Sequence, residues 1–323
     1  MKIKTFALAG AAGMVLSVAA AGVAIADPNG APTYRQLAGV GSDTTDFVMQ
    51  GLSDVVVDGS GTKLLGSYNA LGTPAIKTKA TGCDMNRPNG SSAGRSALLA
   101  SLAPGSSTAG CLDFARSSSL NLAATPAGQE LTYIPFATDS LTYAVSVGST
   151  IPRNLTLDEL KAIYRCEVTG LNPLIPQSGS GTRQSWLQLV GLTETTKGAC
   201  VKDTNNGAPV QEHDGRAVTG PNDIAPFSVS QYIAQSFGAQ TDRRGSIALG
   251  ALDGKLPFTL NTDTTGARKV YNIVPTAKLT AQPTQDVFVG PSSKICTATS
   301  TIQRFGFAVA SDCGSTTNRT PTS

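Results

Sequence analysis

The sequence predicts an α/β protein with largely parallel sheets, and three observations carry that reading. Short apolar runs of strand length alternate with helix-period patterns along most of the chain. Three of the helical patterns open on the same kind of glycine- and hydroxyl-rich turn. The length of 323 residues, 40% hydrophobic with 34 glycines, supplies one large domain or two moderate ones with real cores.

The elements follow in order. Lys2 and Lys4 precede an apolar run from Phe6 to Ile25, which closes on Val23-Ala24-Ile25-Ala26. That small-x-small ending marks residues 1–26 as a secretory signal cut after Ala26. Residues 27–38 read as an extended lead-in. A helix is expected after Ser42-Asp43-Thr44, with Phe47, Val48 and Leu52 inward, and another after Ser91-Ser92, carrying Leu98, Leu99 and Leu102. The clearest helix runs from Leu157 to Arg165. Thr156 and Glu159 form a capping box before it, and Leu157, Leu160, Ile163 and Tyr164 share a face. A fourth begins near Thr182 on Trp186, Leu187 and Val190, and Ser228 caps a fifth bearing Tyr232, Ile233 and Phe237. Strands are expected at Leu131–Phe136, Leu141–Val147, Val270–Val274 and Phe305–Ala310, and residues 314–323 read as a frayed polar tail.

Charge and cysteine usage narrow the function classes. Without Lys2 and Lys4, 23 basic residues face 22 acidic ones, which lacks the basic excess of a nucleic-acid or membrane-surface binder. No stretch after residue 26 is long and apolar enough to enter a bilayer, so no membrane insertion is expected after cleavage. Six cysteines in an exported chain point to disulfides, with fifteen possible connectivities. Nearest-neighbour pairing gives Cys83–Cys111, Cys166–Cys200 and Cys296–Cys313, and the others stay open. With no C-x-x-C and a single histidine, His213, neither a metal site nor a cofactor is expected.

The repeated turns are Gly39-Val40-Gly41-Ser42-Asp43-Thr44-Thr45, Gly90-Ser91-Ser92-Ala93-Gly94-Arg95 and Ser178-Gly179-Ser180-Gly181-Thr182-Arg183. A helix N-terminus presents unpaired N–H groups and partial positive charge, and hydroxyls add uncharged donors. Three such turns predict convergence on one oxyanion; none contains the Walker pattern of a nucleotide site. Gly90-Ser91-Ser92-Ala93-Gly94 also matches the nucleophile pattern G-x-S-x-G, with His213 downstream. The turn-like Asn86-Arg87-Pro88-Asn89 before it speaks against a serine hydrolase, and Glu212-His213-Asp214-Gly215 reads as an exposed turn.

These turns, with Asp113-Phe114-Ala115-Arg116-Ser117-Ser118, the run Tyr133-Ile134-Pro135-Phe136-Ala137-Thr138-Asp139 and the helix 155–164 "LTLDELKAIY", occur in an order that resembles the PstS type of phosphate-binding protein. These are the solute receptors of phosphate ABC importers, and the resemblance covers roughly residues 38–240. It implies a two-lobed type 2 periplasmic-binding-protein fold with the ligand in the cleft between the lobes. Lobe I would comprise residues 27–137 plus 270–323, and lobe II residues 138–269. Ser42, Asp43, Thr44, Ser91, Ser92, Arg116, Ser117, Ser180, Gly181, Thr182 and Arg183 would line the site. Arg116 and Arg183 would supply charge, and Asp43 would accept the proton of hydrogen phosphate. The chain departs from the family where an arginine would precede the glycine turn (Leu174-Ile175-Pro176-Gln177 here) and where an aspartate would follow Ser117 (Ser118 here). The expectation is a monomeric, non-enzymatic receptor, secreted or held at the cell envelope, that passes phosphate or a similar oxyanion to an ABC permease. A scavenger or interaction module without transport, and a hydrolase using Ser92, are the alternatives.

Overall fold

In this computed structural model the described residues are 27–28, 34–258 and 265–323; the leader expected over residues 1–26 lies outside them. A nine-stranded mixed sheet runs through both lobes of the fold. Its strands are β1 (Leu37–Gly41), β2 (Leu65–Ser67), β3 (Phe114–Ser117), β4 (Leu131–Ser146), β5 (Asn172–Pro173), β6 (Asp223–Ser228), β7 (Ile247–Leu249), β8 (Ala267–Pro275) and β9 (Ala308–Val309). The path is β2-β1-β3-β8-β4-β6-β5, with β7 and β9 also on β4.

The sheet is not largely parallel. β1 runs parallel to β2 and β3, but β8 returns antiparallel between β3 and β4, and β6, β7 and β9 all pair antiparallel with β4. The two strands expected at 131–136 and 141–147 are one strand of sixteen residues. The polar Thr138-Asp139-Ser140 between the apolar runs does not break it, because Asp139 is buried against Ser228, Ser230 and Arg268 rather than turned to water. β4 thus passes from one lobe to the other, pairing with β8 through residue 140 and with β6 beyond it.

The longer helices that pack on the sheet are α1 (Asp46–Val55), α2 (Ser91–Leu102), α3 (Leu157–Tyr164), α4 (Gly181–Leu189) and α5 (Val229–Ser236). Val48, Met49 and Leu52 of α1 pack with Phe114, Phe288 and Phe307, while Leu98 of α2 covers the other face of the sheet with Tyr133 and Ile273. In the other lobe Leu160, Ile163 and Tyr164 of α3 meet Trp186, Leu187 and Val190. The expected capping box is present: the Thr156 hydroxyl accepts from Glu159 N at 3.2 Å and Thr156 N donates to Glu159 Oε2 at 2.7 Å. Ser228 caps α5, yet Phe237 is 84% exposed, because Val229, Ala234 and the polar Gln231 and Gln235 face inward instead.

Two further expectations are corrected. Only Ala308–Val309 of the 305–310 run forms strand; Phe305 and Phe307 are core residues beside the Cys296–Cys313 bridge. The C-terminal segment is packed, not frayed: Tyr133 N donates to Asn318 O at 2.8 Å and Leu131 N to Thr320 Oγ1 at 2.9 Å. Cys83–Cys111, Cys166–Cys200 and Cys296–Cys313 are bonded.

Candidate functional site

Strand β1 ends at Gly41, and the chain enters a short 3-10 turn, Asp43–Thr45, before α1. Across the cleft Ser180 caps α4, accepting from Arg183 N at 3.0 Å. Helix α2 contributes its first residue, Ser91, and the segment after β3 contributes Ser118. Their hydroxyls meet at one point: Ser42 donates to Ser118 at 3.1 Å, the Thr44 and Ser118 oxygens lie 3.3 Å apart, and those of Thr44 and Thr182 3.2 Å apart. Ser91 accepts from Ser118 N at 3.0 Å. The lobes approach so closely that a Cβ at position 181 would stand 2.2 Å from Ser91 Oγ and 2.4 Å from Ser118 Oγ and would force both hydroxyls to move.

The centre of this cradle holds the carboxylate of Glu212. Its Oε2 accepts from Thr44 N at 3.1 Å and Thr44 Oγ1 at 2.8 Å, and its Oε1 accepts from Thr182 N at 3.2 Å and from the Ser180 hydroxyl. Thr44 belongs to one side of the cleft and Ser180 and Thr182 to the other. Arg268, on β8, brings a cation to the edge of the cradle. Its Nη2 donates to Thr182 Oγ1 at 3.1 Å and Thr44 Oγ1 at 3.4 Å, while Nε and Nη2 hold Asp139 Oδ2 at 3.0 and 2.8 Å. A cavity of about 390 Å³ bordered by Ser118, Ser119, Ser185, Gln188 and Arg268 opens beside the cradle.

Of the residues expected in the site, Ser42, Thr44, Ser91, Ser180, Gly181 and Thr182 are brought together; the others have different partners. Arg116 is fully buried behind the first turn, donating to Ser67 Oγ at 2.8 Å, Tyr68 O at 2.7 Å and Ser42 O at 3.2 Å. Burial lowers it to about 10 against the pull of Asp46 and Asp43. Arg183 turns away to Glu194 and Asp203 and to Pro176 O. Ser117 binds its own turn at Ser119, and Ser92 accepts from the Gln184 amide at 2.7 Å. Asp43 pairs with His213, whose Nε2 lies 3.0 Å from its Oδ2. Burial opposes the Asp43 charge, but His213 beside it holds the group below the usual carboxylate range. Burial, and then the charge of Asp43, push Asp46 well above that range.

His213 is therefore buried, not in an exposed turn, and carries a left-handed φ of 41°. Asp43, Glu212 and His213 lie within 4.8 Å of one another. Sequence reasoning missed Glu212, Asp139 and Arg268. Glu212 was hidden in a polar, turn-like stretch; Arg268 lies in the charged opening residues of β8, ahead of the apolar run from Val270, and Asp139 ends a segment that matched the family pattern.

Comparison with known proteins bears on the fold. No protein-family model and no curated protein matches this chain. Among solved structures it resembles a phosphate ABC transporter substrate-binding protein with bound phosphate from Clostridium perfringens, at 15% identity and TM-score 0.56, over 85% of this chain and 99% of that one. It also resembles an ABC-type phosphate transport receptor from Vibrio cholerae, at 16% identity and TM-score 0.54, over 85% and 100% of the two chains. At these identities the likeness establishes the two-lobed fold.

Proposed function

We propose that this chain is an exported, non-enzymatic receptor that captures phosphate or a closely similar oxyanion between its lobes and presents it to an ABC-type importer. The observation that carries the reading is the cradle: backbone N–H groups of Thr44 and Thr182 and hydroxyls of Thr44 and Ser180 already hold a carboxylate. Donors at the starts of helical turns, aimed at one point from two lobes, form an anion site, and Arg268 adds charge at its edge. The two structural neighbours are described as phosphate transport proteins, which supports the choice of anion and the transport role. In this reading residues 27–137 with 270–323 form one lobe, residues 138–269 the other, and residues 1–26 direct export. No helix among the described residues is long and apolar enough to cross a membrane. The hydrolase alternative draws no support from the site, since Ser92 is bound to Gln184 and His213 to Asp43.

Equilibrium dialysis with labelled phosphate tests the reading. One phosphate per chain is expected, competed by arsenate and weakened at least tenfold by Arg268→Gln. Absence of saturable binding in both the native chain and Glu212→Ala overturns it.

A further inference from the structure

The Glu212 carboxylate is held as a ligand is held. Among the described residues its hydrogen-bond partners are neutral donors, two N–H groups and two hydroxyls, drawn from both sides of the cleft. A buried structural carboxylate ordinarily sits on a cation, as Asp139 sits on Arg268 here. The segment that delivers Glu212 is a loop. Val210, two residues earlier, is tied to its own lobe by Gln177 N and Asp203 O, at 3.1 and 2.8 Å. His213, directly after Glu212, adopts the left-handed backbone that a non-glycine residue rarely takes. The loop is thus anchored to one lobe and reaches across to Thr44 of the other.

Glu212 and a bound oxyanion exclude each other. With the carboxylate in place the surrounding hydroxyls stand 3.1–3.4 Å apart, already bonded to one another. A tetrahedral anion needs those same donors. It would also add its charge beside both Glu212 and Asp139, against the single guanidinium of Arg268 that contacts the cradle.

We propose that Glu212 is a tethered competitor: it keeps the cleft closed in the absence of ligand, and an anion binds by displacing it. This rests on the anion-binding reading of the cradle. A tethered group acts at an effective concentration of millimolar or more, so weak monoanions fail to displace it. A tetrahedral dianion offers four oxygens and two charges to the same donors and to Arg268, and so prevails. The device selects hydrogen phosphate and its analogues over small carboxylates and halides.

The experiment combines small-angle X-ray scattering without anion and calorimetric phosphate titration, on the native chain, Glu212→Ala and the near-isosteric Glu212→Gln. The native chain is expected to be compact without phosphate. Both variants are expected to expand, to contract again with phosphate, and to bind it at least tenfold more tightly. Formate added to Glu212→Ala is expected to weaken phosphate binding, and to leave it unchanged in the native chain. Variants that stay compact and bind phosphate no more tightly than the native chain overturn the proposal and leave the anion site standing. Variants that expand but bind no phosphate uphold Glu212 as the group closing the cleft and remove the phosphate reading instead.

Discussion

The two turns that face each other across the cleft, residues 42–45 and 179–182, offer similar donors in opposite electrostatic settings. Behind the first lie Asp43, Asp46 and the buried Arg116, with His213 pressed against Asp43. Behind the second stands Arg183, which points away from the cradle to Glu194 and Asp203, about half exposed at 53% and 49%. Donors to the cradle come from both turns, whereas charge buried without solvent comes from one. The first turn is therefore where stability depends on charge and pH, and the second is a neutral clamp whose demands are steric.

Substitutions break this contrast in a graded way. Arg116→Ala has the largest expected effect, because it strands Ser67 and the Tyr68 and Ser42 carbonyls and removes the positive charge beside Asp46 and Asp43. Losing one partner of such a buried network costs about 3–5 kcal/mol, to be read as a lowered urea midpoint. On the clamp side Gly181→Ala places a methyl against Ser91 and Ser118. Overpacking of this kind costs about 1–3 kcal/mol, and calorimetry should show phosphate affinity falling more than stability does.

Asp46→Asn acts in the other direction. Burial and the Asp43 charge raise the Asp46 pKa in the folded chain, so its stabilising share is complete below the unfolded value, near 4, and is lost as pH rises through the folded value. The variant should match the native melting temperature near pH 3.5 and exceed it increasingly toward neutral pH. The smallest effect belongs to Arg183→Ala. Its half-exposed partners limit the loss to about 1 kcal/mol or less, and phosphate affinity should stay within twofold.

The same contrast explains how much the sequence disclosed. The cradle turns were legible because capping is local: Ser42, Thr44, Ser91, Ser180 and Thr182 lie in short motifs whose purpose follows from helix starts. The capping box at Thr156 and the apolar faces of α3 and α4 were readable for the same reason. The charges were not, because their partners are remote in sequence. Arg268 meets Asp139 from 129 residues away, and Glu212 meets Thr44 from 168. Arg116 precedes a run of serines and Arg183 follows a glycine- and hydroxyl-rich turn, so both looked like ligand groups, yet the first is a buried strut and the second pairs with Glu194 away from the cradle. Trp186, just past a cradle turn, lies edge-on to Tyr164 at 5.5 Å in the core of its lobe and does not line the cleft. The parallel-sheet expectation failed because alternating strands and helices do not reveal that β8 returns antiparallel between β3 and β4.

The most direct test is a crystal structure of the native chain grown with arsenate, located by the anomalous signal of arsenic. The account predicts one arsenic site within hydrogen-bonding reach of Thr44 N, Thr182 N and Arg268 Nη2, with the Glu212 side chain swung out of the cradle. Glu212 still bonded to Thr44 and Thr182 at saturating arsenate, with arsenic elsewhere or absent, would contradict it.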